Sequence, residues 1–217
     1  ALSLPEGVSF EFAGSYQNQI RAQKKLAVIL PLALFLILII LYLQFNSLAT
    51  TLMVFSGIIV AWAGGFLFVW FYGQGWFLDF SVFGVDMRDL FQVQTVNLSV
   101  AVWVGFLALF GIASDNGVLM ATYLDDQFAG HKALNREQIR NAVIEGARRR
   151  IRPALMTSAT TILALLPILT STGRGSDIMV PMAIPSFGGM LFAILTVFVV
   201  PVLYCAVKEL QMKGNSG

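Results

Sequence analysis

Cysteine and histidine are all but missing from this sequence, with Cys205 and His131 the sole examples. No disulfide can form within the chain, and no His-rich metal cluster exists. A single thiol at the end of an apolar run reads as packing, and a single histidine in a polar loop as solvated. Charge is scarce too. Asp, Glu, Lys and Arg make up 12% against 57% hydrophobic residues, a balance far from that of a soluble globular domain. Gly-rich phosphate loops and nucleophile elbows are also lacking, so ATP-driven transport and hydrolase chemistry have no residues to carry them, and the chain is not expected to be an enzyme. The sequence opens at Ala1 without an initiator Met or a basic leader, and reads as a piece of something longer.

What is present is a succession of apolar runs. Five are long enough to cross hydrocarbon, which takes about 20 helical residues: 26–45, 48–72, 97–124, 153–171 and 179–207. The predicted fold class is an all-α polytopic membrane protein of five transmembrane helices, residues 26–207, with a short N-terminal strand-helix segment over 1–25. Residues 8–12 (VSFEF) alternate with period two and predict a strand closing a water-soluble domain. Gly14 and Ser15 break that pattern, and a polar helix with Arg21, Lys24 and Lys25 leads into the first span, which Pro31 can kink. Asn46 and Ser47 leave room only for a tight turn. Gly64 and Gly65 either admit a neighbouring helix closely or are simply tolerated in a membrane span.

Between the second and third runs, Trp76, Phe77, Phe80, Phe83 and Phe91 interleave with Asp79, Asp86, Arg88 and Asp89. Aromatics mixed with charge suit the membrane interface. An alternative is metal capture by Met87 and the three Asp residues. Residues 135–149 predict an amphipathic helix along the membrane surface. Asn135 and Gln138 form a capping-box-like start, and Ile139, Val143, Ile144 and Ala147 share one face. Pro181, Pro185, Gly188, Gly189 and Pro201 predict an irregular last helix, followed by a tail over 208–217.

Five spans put the two ends of the chain on opposite sides. Lys132, Arg136, Arg140, Arg148, Arg149, Arg150, Arg152, Lys208 and Lys213 fall on one side; Arg21, Lys24, Lys25, Arg88 and Arg174 fall on the other. The positive-inside rule makes the first side, with the C-terminus, cytoplasmic. Because the Arg148–Arg152 cluster abuts a span, it is assigned to topology rather than to nucleic acid.

The third run carries a carboxylate. Asp115 stands ten residues before Asp125 and Asp126, so it lies roughly 15 Å inside the boundary at 1.5 Å per helical residue, beyond the reach of so short a side chain. An acid at that depth must face protein or a water path and reads as functional; the alternative is a structurally satisfied buried Asp. Thr157, Ser158, Thr160 and Thr161 enter the fourth run from its basic end. Thr157 and Thr161 share a face, and Thr161 reaches roughly the depth of Asp115. These hydroxyls either hydrogen-bond a buried acid or water chain, or pack small against a neighbour.

The segments LSVAVWVGF…GIASDNGVLMATYLDD, EGARRRIRPALMTSATTILALLPIL and GRGSDIMVPMAIPSFGGM…VVPVLY resemble the last five spans of resistance-nodulation-division (RND) pumps. The likeness runs from about Val8 onward in order, loop length and motif. It implies half of a twelve-helix bundle preceded by the end of a periplasmic porter domain. It further implies a homotrimer in the bacterial inner membrane, driven by proton antiport and working with a periplasmic adaptor and an outer-membrane channel. The N-terminus would be periplasmic, and the missing N-terminal half would supply further relay acids, so this piece should not pump alone.

An acid where multidrug pumps usually carry Lys resembles the heavy-metal-efflux branch, of copper/silver or cobalt/zinc/cadmium type. Asp115, Asn116, Thr157, Thr161 and Arg150 are then implied as proton-relay positions, and Met179 as a soft metal ligand for the transported ion; no cofactor is implied. A carboxyl held away from water favours its neutral form, which suits it to proton exchange. Two departures from copper/silver pumps stand out: Ala154 replaces their usual Lys after Arg-Pro, and their loop between the second and third spans is usually much shorter. A multidrug pump and a non-pumping RND-fold module, for protein export or lipid sensing, are the alternative functions.

Overall fold

The computed structural model describes residues 15–128 and 136–215. The strand predicted over 8–12, His131 and the capping residue Asn135 lie outside the described residues. Six helices and one strand pair follow in order: α1 (Ser15–Phe45), α2 (Leu48–Tyr72), β1 (Ser81–Val82), β2 (Val85–Asp86), α3 (Met87–Leu90), α4 (Val100–Phe128), α5 (Arg136–Leu169) and α6 (Ser176–Asn215). Five of the helices are long and apolar enough to cross a membrane, as the apolar runs predict. In hydrocarbon a helix is favoured because it satisfies every backbone group within itself.

The α1–α2 turn shows how local chemistry sets the boundaries. Asn46 takes the left-handed conformation, φ 47°, which Asn tolerates better than most residues. Ser47 then caps α2, its hydroxyl accepting from the Thr50 N–H at 3.5 Å.

Three expectations change. The helix predicted over 135–149 and the span predicted over 153–171 are one continuous helix, α5, running through Pro153 and Pro167. Each proline removes one N–H, yet at Pro167, inside the apolar run, the flanking backbone has no better partner than its own helix. For the same reason α6 is continuous through Pro181, Pro185 and Pro201 rather than irregular. On the amphipathic face, Ile139, Val143 and Ala147 are buried, but Ile144 is exposed. The described strand pair, β1 with β2 antiparallel, joins Ser81 to Asp86 and Val82 to Val85 within the loop after α2.

Helix α6 is the central element, packed against α2, α4 and α5, while α1 lies at the periphery against α2 and α4. Small residues permit these approaches. A Cβ on Gly105 of α4 would run into the Met182 carbonyl of α6, and one on Gly189 would lie 2.9 Å from the Ala61 carbonyl of α2. Without side chains at those points the backbones close to contact, which is how membrane helices gain dispersion energy when lipid is as apolar as they are. Gly64 sits at a similar approach, under Phe192, so close packing rather than mere tolerance accounts for it. The Ser186 hydroxyl donates to the Gly105 carbonyl at 3.0 Å and ties α6 to α4.

Chain order places residues 73–99 and 170–175 at one end of the bundle, where the Gln92 amide donates to the Ser171 carbonyl. The other end holds the start of α5 and the end of α6. There Tyr204 donates its hydroxyl to Asp125, and Arg140 pairs with Glu209 at 2.8 Å.

Candidate functional site

Helix α4 has two faces. Val102, Phe106, Leu109, Phe110, Ala113 and Met120 are buried against the bundle. The opposite stripe, Val104, Ala108, Gly111 and Asp115, is exposed. Steps of four, three and four residues keep these on one helical line. Asp115 is therefore not enclosed by this chain, contrary to the burial expected from its depth in the sequence. The reason is angular: its neighbour Asn116 turns inward and is 5% exposed, and one residue is about 100° of helix. No hydrogen bond or ion pair reaches Asp115 from the described residues. Around it the stripe is small, and a Cβ on Gly111 would meet nothing within 4 Å.

Helix α5 runs antiparallel beside α4. A Cβ on Gly146 would lie 3.0 Å from Gln127 Cγ and 3.3 Å from Leu124 Cδ2. The Arg150 guanidinium sits 5.9 Å from the centre of the Tyr123 ring, within range of a cation–π contact. Counting outward from these contacts brings residues 154–158 of α5 level with residues 115–119 of α4. Thr157 thus shares the level of Asp115, and Thr161 stands one turn beyond it. Their hydroxyls are engaged within α5: Thr157 donates to the Pro153 carbonyl at 3.0 Å and Thr161 to the Thr157 carbonyl at 2.9 Å. This back-bonding is the ordinary recourse of Thr in an apolar helix. The structure brings Thr157 and Arg150 onto the α4–α5 flank, but neither donates to Asp115 within this chain.

Three polar atoms on these two helices are buried without a partner: Asn116 Nδ2, Arg150 Nε and Ser158 Oγ. Ser158 is 0% exposed; its sequence places it among the hydroxyls entering the fourth run but not among the implied relay positions. The signal that could have found it is its spacing from Ala154, a small-xxx-small pair of the kind that marks a helix–helix seam. Burial without a hydrogen bond is costly, so such groups are kept where something uses them or where a water completes them.

Met179 lies in the first turns of α6, exposed, at the end of the bundle that carries the 73–99 loop. In that loop Asp86 caps α3, its carboxylate accepting from the Arg88 N–H at 2.9 Å, and Asp79 and Asp89 are exposed. Among the described residues, no three or more His, Cys, Asp or Glu side chains are grouped to hold a metal.

A family model described as the AcrB/AcrD/AcrF family matches residues 1–84 and 90–208. The cation efflux system protein CusA of Escherichia coli (strain K12) is 34% identical over 210 residues, 94% of this chain and 18% of that protein. The nickel and cobalt resistance protein CnrA of Cupriavidus metallidurans is 34% identical over 219 residues, 99% of this chain and 18% of that protein. A crystal structure of a heavy metal efflux pump superposes with a TM-score of 0.67 at 30% identity, over 94% of this chain and 18% of the pump. The chain thus spans 18% of the length of each of these relatives.

Proposed function

Since the chain belongs to the AcrB/AcrD/AcrF family of RND proteins, on its heavy-metal-efflux side, we propose that it is the membrane half-bundle of a proton-driven exporter of metal cations. The observation that carries this reading is Asp115, exposed on a stripe of small residues at mid-length of an apolar helix. A carboxylate facing lipid there would cost several kcal/mol. It is stable only if the rest of the pump covers the stripe, which turns an exposed acid in this chain into an enclosed one in the protomer.

In that setting Asp115 takes up a proton from one side and releases it to the other as water access alternates. Protonation removes the charge and with it the cost of closing the seam, so proton occupancy biases how the covering helices pack. In this reading Thr157, Thr161 and Arg150 of α5, with Asn116 on the packed side of α4, supply donors and acceptors for water between the acid and the basic end. Met179, at the opposite end, offers a thioether to a soft cation. The dense basic end, with Arg140 tied to α6 through Glu209, is assigned to the cytoplasm and the 73–99 loop to the periplasm. The bacterial inner membrane, a homotrimer, a periplasmic adaptor and an outer-membrane channel complete the proposal, following the family.

The test uses the full-length protein in proteoliposomes. Proton flux is followed on adding nickel, cobalt or copper ions in turn, for wild type and Asp115→Asn. Loss of coupled flux with trimer and fold intact is expected. Undiminished flux in the variant would reduce Asp115 to a packing residue and remove the mechanism.

A further inference from the structure

The family match covers the loop after α2 only in part, since residues 85–89 fall between its two matched segments. The chain leaves α2 at Gly73 and folds straight back onto it. The Phe77 ring stacks on Phe71 at 5.6 Å between centroids and meets Phe68 edge-on at 5.6 Å, both in the last turns of α2. The Arg88 guanidinium then donates to the carbonyls of Gly75 and Gln74 and closes the loop at its neck. What projects beyond the neck is the hairpin of β1 and β2.

Its tip is built against the usual rules for a water-facing turn. Phe83 and Gly84, the two central residues, have φ 53° and 80°. Consecutive left-handed positions in a two-residue hairpin favour Asn or Asp before Gly, because a bulky side chain is strained there. This chain places a phenylalanine in that position and leaves it fully exposed, at 102%. Phe80, Val82 and Val85 are exposed beside it, and no charge occurs from Phe80 to Val85. The charged residues, Asp79, Asp86, Arg88 and Asp89, all lie at the base. The result is an uncharged apolar wedge on a charged collar.

The wedge continues the apolar surface of the span below it. Leu52, Ile59, Leu67 and Trp70 form the exposed stripe of α2. Trp70 lies 5.4 Å from Phe71, which meets Trp76 edge-on at 5.7 Å, and Trp76 is itself exposed at the loop's start. An aromatic path thus runs from the exposed side of the helix to the hairpin. We propose that the Val82–Val85 turn, with Phe83 at its point and Trp76 and Phe80 at its flank, inserts into the headgroup–acyl boundary of the bilayer that α2 spans. There an aromatic ring is stable, and the Asp and Arg collar stays in water. Such an anchor fixes the height of the α2 end against the membrane. It does not depend on proton exchange at Asp115.

The test reconstitutes the full-length protein carrying Phe83→Trp into phosphatidylcholine bilayers, with and without lipids brominated at carbons near the headgroup. The extra emission relative to the parent is read in each. Insertion predicts that at least about half of that extra emission is lost in brominated lipid while aqueous iodide quenches it weakly. Phe80→Trp, a second reporter, should respond in the same direction and covers failure of the first variant to fold. Emission quenched by iodide and indifferent to bromine would overturn the proposal and leave Phe83 in water. Protection from both quenchers would also overturn it, by showing that protein covers the hairpin.

Discussion

At the scale of single residues, adjacent side chains on α4 have opposite fates. Asp115 is exposed and Asn116 buried, because one helical step carries a side chain from the open face to the packed one. Sequence depth alone locates an acid along the membrane normal and says nothing of its angle around the helix. Ser158 shows the same limit from the other direction, being fully buried with its hydroxyl unpartnered. If that hydroxyl only fills space, Ser158→Ala should leave stability unchanged or raise it by about 1 kcal/mol, since an unsatisfied polar group is removed. The measurement is thermal unfolding of the purified protein in detergent. A clear drop in the midpoint would mean that the hydroxyl has a partner, such as a buried water, that its loss strands.

Between elements, the decisive contacts are backbone approaches rather than side-chain bonds. Gly105 lets α4 meet α6 at Met182 and Ser186, and any side chain there must push the two helices apart. Gly105→Ala should therefore cost about 1–3 kcal/mol, the usual penalty for overpacking a rigid site. Gly111→Ala, about one and two-thirds turns on but facing open space, should stay within about 0.5 kcal/mol of the parent. Comparing the two midpoints in detergent decides it, and equal losses would contradict the packing described. The close approach was legible in part, because paired small residues on α2 and α6 are visible as sequence. Which of them meet was not, since the crossing point depends on where two helices touch.

For the whole molecule, the question is what lies against the Asp115 stripe. Gly111→Leu adds bulk on a face where a Cβ meets nothing of this chain within 4 Å. The full-length protein should therefore still insert and fold around α2, α4 and α6, yet lose metal-coupled proton flux if the rest of the pump closes over that stripe. Full flux in Gly111→Leu, measured in the same proteoliposomes, would show that the face is open to lipid or water and that Asp115 is not enclosed by another element.

The sequence by itself determined that this is a five-span, all-α membrane protein, because the hydrocarbon thickness sets a minimum apolar length that any reader can count. It also determined which end is basic, where the acid falls in depth, and the likeness to RND pumps, which rests on motifs. Tertiary structure alone decided that α6 is central and that α5 runs unbroken from its basic start through Pro153. The same holds for the outward turn of Asp115 and the hairpin beyond α2. The first and third depend on the rotation and contact of elements distant in sequence, the second on a helix keeping its own hydrogen bonds, and the hairpin on a local turn at Phe83 and Gly84 that composition did not signal.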